Sequence, residues 1–281
     1  VRVIVTGSSG WLGRPVALAL LEAGHAVRGI DAVAPPPGSP WDHVSADLTD
    51  LGAAVELLRE ADAVAHIAAI PRPTGRAPGA VFATNVAAAH AVIEAAVLNG
   101  VPRVVYASSF SVLGYPFFVT PTAPLFLPLD ESHPAAPQDA YALSKWLGEE
   151  ILDAAVRRAG LVGISLRMPW IQTPASFPRE VVPRRADAAG AARDLWSYLD
   201  ARDAAAAFVA ATECRAGGHV RLFLSAADTY ATRPTMELAR AHFPDVPIRR
   251  PIAGTASVFD LAAAERVLGF APRHSWTEYG V

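Results

Sequence analysis

Val1-Arg2-Val3-Ile4-Val5-Thr6 is a short apolar run, rich in β-branched residues, that stops at a glycine. The loop Gly7-Ser8-Ser9-Gly10-Trp11-Leu12-Gly13 follows, then an apolar segment of helical spacing to Ala23, closed by Gly24. A strand, a glycine loop and a helix in that order form the context in which a loop binds phosphate. Bare backbone N–H groups and the positive helix N-terminus face the anion, and glycines let a pyrophosphate come close. The same alternation continues along the chain. Strands are expected at Ala26 to Asp31, Ala63 to Ile67, Arg103 to Ala107, Gly160 to Leu166 and Val220 to Leu224. Helices are expected from Leu48 to about Glu60, from Ala80 to Leu98 and from Asp139 to Gly160. Strands alternating with helices predict an α/β fold, a doubly wound parallel sheet.

Asp31 stands at the carboxyl end of the second strand, about 20 residues beyond the glycine loop, where an acidic side chain can accept both hydroxyls of an adenosine ribose. A carboxylate there repels a 2′-phosphate, so NAD is expected over NADP. His66 reads as a residue packed at a strand end. The helix from Ala80 to Leu98 is apolar nearly all round, with Asn85 among its few polar interruptions. A helix without a polar face must be covered on several sides, so a homodimer interface is expected there.

The totals exclude several classes. A net charge of −3 over 281 residues, with no basic run longer than pairs such as Arg184-Arg185 and Arg249-Arg250, leaves no electrostatic footprint for nucleic acid. Cys214 is the single cysteine, which removes intrachain disulfides and cysteine metal clusters and suits a cytoplasmic setting. No metal site is expected. No uninterrupted apolar run approaches the roughly 20 residues of a membrane helix, and Val1 to Val5 reads as a strand and not as a signal peptide.

Tyr141 and Lys145 lie four apart in the helix beginning near Asp139, so they project from one face. The chain has 24 Lys plus Arg, and Lys145 is its one lysine. A composition that uses arginine everywhere else suggests that a compact ammonium on a flexible stem is needed here and a planar fork would not serve. An ammonium beside a phenol favours the phenolate, which makes Tyr141 a candidate general acid/base with a pKa below its usual value near 10.

Thr6-Gly7-x-x-Gly10-x-x-Gly13, Asp31, Asp47, His66-Ile67-Ala68-Ala69, Asn85, Tyr106-Ala107-Ser108-Ser109 and Tyr141-x-x-x-Lys145 occur in one order. Together they resemble the extended short-chain dehydrogenase/reductase family, the NAD-dependent sugar epimerase/dehydratase group, from Val1 to about Pro174. The resemblance implies that Ser109 holds the substrate oxygen, that Tyr141 exchanges its proton, and that Lys145 binds the nicotinamide ribose and depresses the tyrosine pKa. It implies cofactor contacts from Gly7, Ser9, Gly10, Trp11, Leu12, Gly13, Asp31, Asp47, Leu48, Ile67, Ala68, Ala69, Asn85, Tyr141, Lys145 and Pro169. Ser108 and Ser111 flank Ser109 as candidate substrate contacts.

Two departures bear on the substrate. Family members acting on nucleotide-sugars carry Arg-x-x-Asn after the fifth strand, and here Arg167-Met168-Pro169-Trp170 places Trp170 as the candidate substrate contact. They also spend several tens of residues on a nucleotide pocket, whereas Pro174 is here followed directly by a short stretch leading to Trp196-Ser197-Tyr198. The expectation is a cofactor domain over 1–167 and, over 168–281, the last sheet strands with a small C-terminal substrate lobe. The expected reaction is NAD-dependent hydride transfer at a hydroxyl or keto carbon of a sugar, sugar acid or similar small polyol. A nucleotide-sugar epimerase or dehydratase that retains its NAD is the rival, and a non-catalytic dinucleotide sensor a third reading. The proline-rich, apolar stretch from Tyr115 to Pro137 is expected to pack under the lobe or against a second subunit, with a flap over the substrate as the alternative. Arg233, Arg249, Arg250 and His274 are expected on the solvated surface.

Overall fold

The computed structural model describes residues 1–280. Among these residues, β1 (Arg2–Thr6), β2 (Ala26–Asp31), β3 (Asp42–Ser45), β4 (Ala63–His66), β5 (Arg103–Ser109), β6 (Val162–Met168) and β9 (His219–Phe223) form a sheet. Its order is β3-β2-β1-β4-β5-β6-β9, and every pairing is parallel. A short separate pair, β7 (Trp170–Gln172) with β8 (Tyr198–Asp200), lies just beyond β6.

Successive strand residues point to opposite faces, and this period sorts the core into two layers. Val3 and Val5, with Ala63, Ala65, Val105 and Ala107, pack on α1 (Gly13–Glu22) and α7 (Ala201–Glu213). Ile4, Val64, Val104 and Tyr106 face the other way, onto α3 (Pro78–Leu98) and α4 (Ala140–Ala159), with α2 (Leu51–Leu57) beside α3. By length and composition α3 could cross a membrane, yet half of that span is buried within the protein, with Val81, Ala88, Val92 and Ala96 in the core.

The predicted alternation is present, with three differences. The edge strand β3 was not expected; Asp42-His43-Val44-Ser45 is polar and carries no strand signature, and pairing with β2 makes it a strand. The helix expected from Leu48 begins at Leu51, because Asp50 is its N-cap and accepts from Gly52 N and Ala53 N. The pair β7–β8 was also unpredicted.

Near the carboxyl ends of the strands, Phe110 and Leu113 pack with Leu127, Leu129, Phe223, Ile252 and Phe259. A further aromatic cluster joins Phe177, Trp196, Tyr198 and Tyr230 to Trp276. The remaining short elements belong here: α5 (Phe177–Glu180), α6 (Ala188–Ala191), α8 (Thr235–His242) and α9 (Ala262–Leu268). The 115–137 stretch packs under this region, as expected. Leu127 N donates to Pro247 O at 2.9 Å, Leu129 N to Val258 O at 2.7 Å, and the Arg249 guanidinium lies 3.2 Å from the centre of the Phe126 ring.

Candidate active site

The chain reverses direction across the sheet between β1 and β4, which leaves a crevice where the loops after them diverge. The glycine loop forms one side. Gly7 adopts φ +71°, and a Cβ there would lie 2.7 Å from Ala68 N; a Cβ on Gly13 would lie 2.0 Å from Gly7 O. The loop therefore closes tightly on itself and on the 67–69 segment only with glycine. Gly10 N donates back to Gly7 O at 3.0 Å. Leu12 precedes the first turn of α1, and Trp11 projects outward with 61% of its surface exposed.

Thr6 ties the two sides together. Its Oγ1 accepts from Ile67 N at 3.0 Å and Ala68 N at 3.2 Å, and it hydrogen-bonds His66 Nδ1 at 2.8 Å. His66 is buried, and burial with the charge of Lys145 pushes its pKa down to about 3, so it is a neutral packed residue as expected. Asp31 accepts from Ser9 N at 3.0 Å and Val33 N at 3.1 Å. Its carboxylate is thus fixed at the end of β2 beside the glycine loop, where a ribose diol would meet it. Asp47 is exposed and accepts from Thr49 N and Oγ1, bonds that lower its pKa; Leu48 beside it is buried. Asn85 is engaged with protein: its Oδ1 accepts from Ile70 N at 2.7 Å, and its Nδ2 donates to Ile70 O and to Ser144 Oγ, each at 3.1 Å. It acts as a clamp that sets the 68–71 segment, including Ala69, against α4.

Tyr141 opens α4, whose N-cap Asp139 accepts from Tyr141 N at 2.8 Å and Ala142 N at 2.9 Å. The Ser109 hydroxyl stands beside Tyr141 and acts to lower its pKa, and Ser109 Oγ accepts from Ser111 N at 3.1 Å. Serine and tyrosine therefore stand together as the resemblance implied. The electrostatics differ from expectation. Burial pushes the Tyr141 pKa up to about 12, with the Ser109 hydroxyl opposing it. Lys145 Nζ donates to Ala107 O at 2.8 Å and sits 5.8 Å from the Tyr141 ring centre, while burial draws its own pKa down to about 7. Burial outweighs the Ser109 hydroxyl, and the expected depression of the phenol by Lys145 is not found.

Ser108 is not brought to this face. The strand alternation turns it to Glu149 Oε1, 2.5 Å away. Glu149 also takes Arg167 in a two-pronged pair at 2.9 and 2.7 Å and Arg221 at 3.0 Å. Glu149 is fully buried, and burial alone would raise its pKa. The bonds and charges of Arg167, Ser108 and Arg221 overcome that and hold it below the usual range. Sequence reasoning missed this residue, although the spacing Tyr141, Lys145, Glu149 marks one helix face.

Ser111 Oγ is buried without a hydrogen-bond partner, beside Ser109, and is free to meet a ligand oxygen. Pro169 is buried between β6 and β7. Trp170 was expected as a substrate contact. The Arg184 guanidinium lies 4.7 Å above its ring centre and donates to Asp194 Oδ2 at 3.1 Å. Burial raises the Asp194 pKa to about 7, with Tyr230 donating to Oδ1 at 2.6 Å. Arg233, Arg249, Arg250 and His274 are each spent on a carboxylate: Glu237, Asp130, Asp260 and Asp203 respectively.

A glycine cradle at the end of a parallel sheet, a fixed acid at the end of β2 and an adjacent serine and tyrosine with a buried lysine are features of a dinucleotide-dependent oxidoreductase. The sequence model of the NAD dependent epimerase/dehydratase family matches residues 3–223, and the chain belongs to that family. It is 31% identical over 200 residues to L-arabinose 1-dehydrogenase (NAD(P)(+)) of Haloferax volcanii, covering 69% of this chain and 76% of that protein. It is 30% identical over 171 residues to uronate dehydrogenase of Pseudomonas syringae pv. tomato, covering 59% of this chain and 58% of that one. Among solved structures, a short-chain dehydrogenase/reductase superfamily protein from Agrobacterium tumefaciens with bound NAD superposes with a TM-score of 0.77, at 25% identity over 99% of this chain and 94% of the other. MoeE5 in complex with UDP-glucose and NAD gives 0.74, at 25% identity over 99% and 95%. The protein is an NAD-dependent enzyme of this fold.

The fixed Asp31 makes the cofactor choice testable. NAD is expected to bind more tightly than NADP, and Asp31→Ser to improve NADP binding by about tenfold through loss of like-charge repulsion. Titration of each cofactor against tryptophan fluorescence measures both. Wild-type NADP binding as tight as NAD binding would remove Asp31 from the ribose.

Proposed function

We propose that the protein transfers a hydride between NAD and a hydroxyl or keto carbon of a free sugar, sugar acid or similarly small polyol. The observation that carries this reading is how the 175–197 stretch is used. Its short turns supply Phe177, Val181 and Trp196 to the lobe's own aromatic cluster, and Arg184 closes onto Trp170. These side chains are engaged with the protein itself. The curated relatives are in keeping with this, one named for L-arabinose and one for uronate.

Bound NAD supplies the hydride acceptor, and the chain's residues do the rest. Ser109 Oγ and the adjacent Ser111 Oγ orient the substrate oxygen. Tyr141 Oη takes the hydroxyl proton in oxidation and returns it in reduction. Lys145 holds the ribose side of the cofactor, and Asn85 keeps the 68–71 wall in register with α4. Gly7, Gly10 and Gly13 leave room for the pyrophosphate, with Asp31 on the adenosine ribose. The protein acts in the cytoplasm as a homodimer, joined across the outer face of α3.

MoeE5, solved with UDP-glucose, favours a second reading in which the substrate is a nucleotide-sugar. Two measurements separate them. NADH formation is expected with a panel of aldoses and uronic acids, and calorimetry on the NAD-loaded protein is expected to show no UDP or dTDP binding. Micromolar affinity for either nucleotide would overturn the free-sugar reading.

A further inference from the structure

The reacting set leaves Phe117 without a role, although this residue stands on it. Its ring meets that of Tyr141 edge to face, with centres 6.5 Å apart and planes at 87°. Three anchors put it there. Tyr115 is buried in the cluster at the strand ends and packs edge to face with Phe118, with centres 5.9 Å apart. Gln138, next to the N-cap of α4, holds Thr120 by both backbone groups, accepting from its N–H at 3.0 Å and donating to its carbonyl at 3.1 Å. Between these anchors, Arg193 reaches across from the turn before β8. Its Nε donates to Pro116 O at 3.2 Å and its Nη2 to Phe118 O at 2.7 Å, with its guanidinium carbon 4.0 Å from the Phe118 ring centre.

The two carbonyls that Arg193 holds flank Phe117. A planar fork can satisfy two acceptors at once, which an ammonium on a flexible stem does less well. Tyr115 and Phe118 turn into the lobe and account for its packing. Phe117 turns the other way, onto the ring of Tyr141. We infer that Phe117 is a specificity-determining wall of the reacting centre, and that Arg193 is the positioning residue that holds it there.

A wall of this kind selects by chemistry. An aromatic ring offers an apolar surface and no acceptor for a sugar hydroxyl, so a polar or charged group pressed against it loses its hydration without compensation. The substrate must turn a C–H face, such as one side of a pyranose ring or a deoxy or alkyl substituent, toward Phe117. Its hydroxyls then point toward Ser109 and Ser111. The specificity role rests on the hydride-transfer reading, whereas the placement of Phe117 does not.

The test has one arm that needs no substrate. In protein labelled with meta-fluorotyrosine, the Tyr141 fluorine resonance is identified by its loss in Tyr141→Phe. Phe117→Leu removes the ring current and is expected to move that resonance. Arg193→Ala should move it in the same direction, with Arg193→Lys intermediate. Val119→Ala, at the 84% exposed tip of the same segment, should leave it in place. A Tyr141 resonance unmoved by Phe117→Leu overturns the contact, and one unmoved by Arg193→Ala overturns the positioning role. The second arm uses whichever aldose or uronic acid yields NADH. Phe117→Ala and Arg193→Ala are expected to raise KM roughly tenfold with kcat within about threefold. A loss confined to kcat overturns the specificity role. If no sugar or sugar acid yields NADH, the free-sugar reading and the specificity role built on it both fail, while the fluorine arm still decides where Phe117 stands.

Discussion

Tyr141→Phe is expected to lower turnover by at least ~10²-fold, the low end for loss of a general acid/base, with NAD affinity unchanged. The hydroxyl is the one group removed, and the neighbouring Ser109 keeps its contact from Ser111 N at 3.1 Å. The ring stays, so the contact with Phe117 and the start of α4 are retained. The sign of the pH dependence follows from the raised pKa. Oxidation needs the phenolate, and burial pushes this pKa up to about 12, so the wild-type oxidation rate should climb with pH throughout the neutral and mildly alkaline range. In Tyr141→Phe the residual rate should lose that climb. Steady-state rates between pH 6 and 10, with cofactor titration at each end, would check both statements. A wild-type plateau already reached at neutral pH would mean that the charge near Tyr141 in the working enzyme outweighs burial, as the bare Tyr-x-x-x-Lys spacing suggests.

That reversal of sign shows what the chain's linear pattern can and cannot convey. The sheet was legible because a buried parallel strand leaves a dense apolar run, and Val3-Ile4-Val5 divides cleanly between the two core layers. The glycine cradle, Asp31 and the Ser109–Tyr141–Lys145 set were legible because each depends on spacing along one strand end or one helix face. The charge state of Tyr141 depends on burial, which is contributed by residues far off in the chain. Ser108 was misplaced for a simpler reason: three serines in four residues cannot all face the substrate, and strand alternation sends this one to Glu149. That Arg184 stacks on Trp170 was not legible, because it comes from a stretch with no periodic pattern. Likewise the link from Arg193 to the carbonyls beside Phe117 joins two irregular segments, and no local signal announces it. The edge strand β3 has polar residues and one neighbour, so it leaves no apolar run to read.

Glu149→Ala should destabilise the fold by about 3–5 kcal/mol, the range for removing one partner of a buried ion pair. The residue sits two turns beyond Tyr141 on the same face of α4. It ties that helix to β5 through Ser108, to β6 through Arg167 and to β9 through Arg221. Its loss leaves Arg167, 4% exposed, as an uncompensated buried charge. Arg221→Ala should cost much less, because that side chain is 28% exposed and water replaces part of the bond. Replacing both members of the inner pair, Glu149→Leu with Arg167→Met, should be milder than Glu149→Ala alone, since no charge is then stranded. The pH dependence has a fixed sign. The folded pKa of Glu149 lies below its unfolded value of about 4.3, so its contribution is complete above that value and is lost as pH falls through the folded pKa. Urea unfolding of the four proteins at pH 7 and again below pH 4 measures all of this, and the gap between wild type and Glu149→Ala should narrow in acid. Because the same carboxylate fixes Ser108, the neighbour of Ser109, the folded fraction of Glu149→Ala should also turn over more slowly than wild type. A Glu149→Ala protein as stable as wild type at pH 7 would show that the arginines find other partners, and that α4 is held to the sheet by its apolar face alone.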